Sequence, residues 1–129
     1  MKVKRIKVGI KNWEENKREL QSIFRRSGQG EPIPTENSLY FADLEAFRKC
    51  LTPKRLVLLW TVAEKRPQSV RELAGLLKRE LKNVSEDVDY LHQIGLLEFR
   101  PSVVHGNARA PIVPYDRVDF SLDLRRRAA

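Results

Sequence analysis

The chain has 129 residues, with 25 Lys and Arg against 17 Asp and Glu, a formal charge of +8 and 41% hydrophobic residues. That size holds one ordinary domain with a real core, and it excludes both two comfortable domains and a disordered tail. The longest apolar run is about four or five residues, too short to span a membrane, and the single cysteine, Cys50, excludes an internal disulfide framework.

The start, MKVKRIKVGI, is basic, but no seven-residue apolar segment follows it. No signal peptide is expected, and a reducing cytoplasm is the expected compartment. Val3, Ile6 and Val8 alternate with Lys4 and Lys7, which predicts a strand with one solvated face. NWEENKRELQSIFRR then reads as a helix with Asn12 as its cap and Trp13, Leu20, Ile23 and Phe24 as its apolar stripe. Residues 1–30 thus form a strand-helix arm, and its stripe is the candidate dimerisation element. Prolines and glycines in SGQGEPIPTENS mark a linker over 31–37.

Beyond the linker, Phe41, Leu44, Phe47 and Leu51 recur at helical spacing. Thr52 is a good N-cap, with Pro53 at the first helical position, where its missing N–H costs nothing. The helix that follows is predicted to turn Leu56, Leu59, Trp60 and Ala63 inward and to stop before Pro67. Ser69 with Glu72 three positions on is a capping box, opening a helix with Val70, Leu73, Ala74 and Leu77 on its buried stripe. After a short break a third helix starts near Leu81 and ends at Gly95, a residue suited to the left-handed terminator. Three short helices with a tight break before the last form a helix-turn-helix pattern. LLEFR, turn residues around His105-Gly106-Asn107 and a return strand give a hairpin wing. In RVDFSLDL, Val118, Phe120, Leu122 and Leu124 share one face, and this last strand is expected to pair with the N-terminal one, since each otherwise leaves an open edge. The expected fold is therefore α+β, a winged helix-turn-helix over 38–124 with an N-terminal strand-helix extension and a basic tail over 125–129.

LTPKRLVLLWTVAEKRPQSVRELAGLL followed by LKNVSEDVDYLHQIGLLEF resembles the winged helix-turn-helix regulators, broadly the MarR-like group. More narrowly, LTPKR, SVREL, KNV and VPYDRVDFSLDL resemble a family of small archaeal and bacterial DNA-binding proteins, some of them similar to antitoxins encoded beside a toxin. The likeness covers about residues 38–124 and implies a transcriptional regulator. The pattern tends to carry a basic residue where Glu86 stands, a departure that weighs against tight non-specific binding.

Positive charge is uneven. Residues 1–30 hold nine Lys and Arg against three Glu, whereas residues 67–95 hold four against five acids. A helical projection of the third helix puts Leu81, Val84, Val88, Leu91 and Gly95 on the core side. Lys82, Asn83, Glu86, Asp89, Tyr90 and Gln93 lie opposite, with Asp87 on a flank. Lys82, Asn83 and Glu86 are the candidate base contacts: Lys suits guanine O6/N7, Asn adenine N6/N7, and Glu the amino group of cytosine. Lys54, Arg55, Arg71, Lys78 and Arg79 are the candidate phosphate contacts, joined by Arg100 and Arg109 on the wing. Ordinary solvation is the plain alternative for each of these charges, Glu86, Asp87 and Asp89 above all. Arg125–Arg127 would act as a basic arm or a solvated tail.

No Cys/His cluster with ligand spacing, no phosphate-cradling glycine loop and no Ser/His/Asp arrangement is present, so no metal, cofactor or enzyme activity is expected. The expected function is sequence-specific binding of double-stranded DNA as a homodimer that regulates transcription. Two alternatives stay open: an antitoxin-like module that binds a partner toxin, and RNA binding through the same fold.

Overall fold

A computed structural model describes residues 4–10, 33–35, 38–104, 106 and 108–122. Among them the chain is mixed α+β, with six strands in two sheets and four helices. It divides into two compact units, Met1–Leu51 with Tyr115–Ala129, and Thr52–Pro114. The cuts fall on either side of the stretch that holds three of the helices and the two-stranded hairpin. The expected arm helix, with Trp13, Leu20, Ile23 and Phe24, lies outside the described residues, as do the tail over 125–129 and the turn residues His105 and Asn107.

The first unit is built on a four-stranded sheet. Strand β1 (Arg5–Ile10) alternates as its sequence predicts, with Ile6 and Val8 buried. Strand β2 (Ile33–Thr35) falls inside the expected linker and runs antiparallel to β3 (Ser38–Phe41). Strand β6 (Arg117–Ser121) completes the order β2-β3-β1-β6. β1 is parallel to both neighbours, Val8 facing Leu39 on one side and Phe120 on the other. The expected pairing of the first and last strands is therefore present. Two hydrogen bonds fasten its start: Lys4 N–H donates to the Asp116 carboxylate Oδ2 at 2.8 Å, and Asp116 N–H donates to Lys4 C=O at 2.7 Å.

One short helix follows β3. Helix α1 (Leu44–Cys50) is capped by Asp43, whose carboxylate accepts from Ala46 N–H at 2.8 Å. That cap sets the helix phase and corrects the expected stripe. Phe41 belongs to β3 and is buried there, Leu44 is 56% exposed, and the inward positions are Ala46 and Cys50. Phe47 meets Phe41 and Phe120 edge-to-face, with ring centroids 5.6 and 5.8 Å apart, geometry favoured by the ring quadrupoles. Cys50 is a small buried hydrophobe, as expected.

The second unit follows its local signals closely. Helix α2 (Pro53–Lys65) starts at Thr52, whose hydroxyl accepts from Arg55 N–H at 3.2 Å, and ends on Arg66 in the left-handed region. Helix α3 (Val70–Leu77) opens on the Ser69 cap, which accepts from Glu72 N–H at 3.0 Å. The Glu72 carboxylate reaches back to Gln68 N–H rather than to Ser69. Lys78, at φ 55°, turns the chain, and helix α4 runs over Leu81–Gln93. Gly95, at φ 90°, supplies the expected left-handed terminator before strands β4 (Glu98–Pro101) and β5 (Arg109–Ile112) form an antiparallel hairpin.

The core of this unit is sealed by Leu58, Val62, Leu73, Val84, Val88, Leu91, Leu96 and Leu97, each at most 1% exposed. Trp60 is not among them. It is 74% exposed, and Leu58, Leu59 and Val62 take the inward positions. The run LVLLW offers apolar side chains on every side of the helix, so periodicity leaves its phase open and packing chooses it.

Candidate nucleic-acid interface

Helix α4 presents two chemically distinct faces. Val84, Val88 and Leu91 are fully buried, which fixes the rotation of the helix about its axis. Lys82, Asn83, Glu86 and Asp89 are consequently exposed together on the other side, in the positions expected of them. Leu81, assigned to the core, is 36% exposed at the first turn, and Gly95 is exposed beyond the last. The helix begins without a side-chain cap at Glu80.

Asp87 has a different role from the other acids of α4. Its Oδ1 accepts from Arg55 Nε at 3.0 Å and its Oδ2 from Arg79 Nη2 at 2.8 Å. The three side chains are only 15–20% exposed. The Arg55 guanidinium also lies 4.1 Å from the centre of the Tyr90 ring, a cation–π stack. One carboxylate thus ties α2, the break after α3 and α4 into a fixed arrangement. Two guanidiniums on one carboxylate leave a local surplus of positive charge, and Arg79 Nη1 is buried without a hydrogen-bond acceptor. Arg55 and Arg79, expected to meet phosphates, are therefore turned inward and held by the protein itself. Asp87, read as a solvated flank, is their partner. Its sequence position between Val84, Val88 and Leu91 was the available signal, because a flank residue beside a buried stripe lies at the rim of the core.

The remaining candidates stay outside. Lys54 in the first turn of α2, Arg71 in the first turn of α3 and Lys78 in the break are all exposed. On the hairpin, Arg109 is exposed and its guanidinium sits 4.5 Å from the Phe99 ring centre. Arg100 is half-buried and donates to Gln68 Oε1 at 3.4 Å and to its neighbour Pro101 C=O at 3.3 Å. Gln68 Oε1 also accepts from Val103 N–H at 3.3 Å, so this unsuspected glutamine ties the turn before α3 to the hairpin. Ser102 N–H donates to Ala108 C=O at 2.9 Å, closing the strands above exposed Val103 and Val104.

Among the described residues, no group of three or more His, Cys, Asp or Glu side chains is placed to hold a metal ion. No described helix is long and apolar enough to cross a membrane.

Among the described residues, four helices, a four-stranded sheet and a two-stranded hairpin, with an exposed polar face on the last helix, define a small mixed α+β protein. Within that class the chain belongs to the family described as HVO_A0114, whose model matches residues 50–120, more than half of its length. No curated protein and no solved structure matches it.

Proposed function

We propose that this chain is a sequence-specific double-stranded DNA-binding regulator of transcription, acting as a cytoplasmic homodimer. In this reading α3, the break at Lys78 and α4 are a helix-turn-helix of the MarR-like type, and β4–β5 is its wing. The supporting observation is the rotation of α4. Three fully buried residues hold Lys82 and Asn83 outward from a rigid unit, where they can address base edges. Lys54, Arg71, Lys78 and Arg109 supply phosphate contacts, which contribute affinity without sequence preference. Glu86 and Asp89 repel phosphates and so limit binding to sites where the base contacts compensate. Arg55 and Arg79 act behind this surface, holding α4 through Asp87. The reading assigns no catalytic residue and no cofactor.

Selection of bound sequences from random duplexes at two salt concentrations tests it. The expected outcome is an enriched motif whose affinity falls as salt rises. Lys82→Ala and Asn83→Ala should each cost about 1–3 kcal/mol on that motif and relax it at one position. Failure to enrich any motif, with no salt-sensitive complex on duplex DNA, removes the reading.

A second reading is an antitoxin-like module bound to a partner protein. Its motivation is the apolar pair on α2, Trp60 at 74% and Val57 at 53% exposure, one turn apart on a surface helix. Co-purification with the product of an adjacent small gene, lost in Trp60→Ser, would favour it. Unchanged capture by that variant would count against it.

A further inference from the structure

The two outer strands of the four-stranded sheet are protected unequally. β2 is three residues long, and Pro34 at its centre has no N–H to offer a further strand. β6 is longer, contains no proline, and is the outer strand on the other side among the described residues. Arg117 N–H donates inward, to Lys4 C=O of the β1 side. The two-residue period of a strand then turns the peptide groups of Val118 and Phe120 outward, away from β1. Beside this edge the apolar surface is incompletely covered. Phe120, Leu122 and Leu44 are 53%, 61% and 56% exposed, and they border a shallow groove floored by Val8 and Ile10.

The charges on β6 indicate what fits there. Arg117 and Asp119 sit two residues apart on one face and pair within the strand at 2.6 Å. A second copy of β6, antiparallel and related by a two-fold axis through Val118, would place each Arg117 opposite the other copy's Asp119. Shifting the axis to residue 119 would set Asp119 against Asp119, and it would turn inward-bonded peptide groups to the interface. An axis at Val118 matches both the charge pattern and the outward peptide groups. It also keeps Phe120 and Leu122 of both copies on the same side of the joined sheet.

We infer that β6 is a self-association edge, at which two copies of this chain join their sheets through antiparallel β6–β6 pairing centred on Val118. The inference stands on the sheet alone. A chain that dimerises without binding DNA leaves it intact, and a monomer that binds DNA overturns it while leaving the DNA contacts proposed for α4 intact.

Light scattering on the full chain tests the edge. Wild type should read twice the 15.0 kDa chain mass. Arg117→Asp and Asp119→Arg each place like charges opposite one another across the axis, and each should weaken association on the order of ten-fold. The charge-swapped pair Arg117→Asp with Asp119→Arg restores opposite signs and should restore the dimer, although it makes the same number of changes within each strand as the two single variants combined. Independently of charge, Val118→Cys brings two thiols together at the axis, within the Cα separation of about 4.4–6.8 Å that a disulfide needs. On oxidation it should run as a covalent dimer, whereas wild type, with only buried Cys50, should not. A monomeric wild type, single variants that dimerise undiminished, a folded double variant that stays monomeric, or a Val118→Cys chain that does not cross-link would each overturn the proposal.

Discussion

The two units bury their apolar residues over very different lengths of chain. In Thr52–Pro114, α2 and α3 begin on the caps Thr52 and Ser69, α4 begins without a side-chain cap, and Arg66, Lys78 and Gly95 stand at or just beyond the three ends. The sheet unit instead joins β1 to β6, and Lys4 bonds to Asp116 across 112 positions. Closing a loop that long costs chain entropy before any contact offsets it. The difference teaches where specificity resides. The helical unit is specified by caps and a buried stripe, the sheet by the meeting of distant segments.

Four substitution sets test that contrast, in descending order of expected effect. Core truncation is largest in both units. Phe41→Ala in the sheet should cost about 3–5 kcal/mol and Leu91→Ala in α4 about 2–5 kcal/mol, read as changes in urea unfolding free energy. Both side chains are at most 1% exposed. Losses under 1 kcal/mol would show that one of these cores is not packed as described.

Carboxylates come next, and here the units should diverge. Asp87→Asn removes the counter-charge from beside two mostly buried arginines and should cost about 2–3 kcal/mol, below the roughly 3–5 kcal/mol of a fully buried pair because the site retains some solvent. Asp116→Ala loses the one exposed acceptor of Lys4 N–H and should cost about 0.5–1.5 kcal/mol. Equal losses from the two would mean that Asp87 is no more than a surface partner. A reversed order would place the critical carboxylate in the sheet.

Caps are smaller. Thr52→Ala and Ser69→Ala in the helical unit, and Asp43→Ala in the sheet unit, should each cost about 1 kcal/mol in thermal or urea melts. Smallest of all is Trp60→Ser, expected within about 0.5 kcal/mol of wild type. A tryptophan in a core would cost about 3–5 kcal/mol on truncation, so this variant separates a surface residue from a buried one without ambiguity.

The candidate interface was partly legible. The α4 stripe of Val84, Val88 and Leu91 follows a 3.6-residue period, so the outward placement of Lys82, Asn83 and Glu86 could be read directly. The fate of Arg55 and Arg79 could not. Each is a basic residue in a basic chain, and only the meeting of α2, the break after α3 and α4 brings both within 3.0 Å of Asp87. Trp60 failed for another reason. It lies in a run apolar on all sides, where residue type favours the core and periodicity offers no vote. Phe41 reads as helical because its spacing to Leu44 and Phe47 is helical, yet Asp43 caps the chain between them and leaves Phe41 in a strand.

Local chemistry therefore determined the α+β content, the starts and stops of α2, α3 and α4, the hairpin after Gly95, and the polar face of α4. Those features rest on caps, turns and periodicities that act over one or two helical turns. Tertiary structure alone decided the parallel sheet uniting β1, β3 and β6, the inward turn of Arg55 and Arg79, and the exposure of Trp60. Each depends on which distant surfaces meet, and a side chain's burial or pairing is a property of that meeting rather than of its neighbours along the chain.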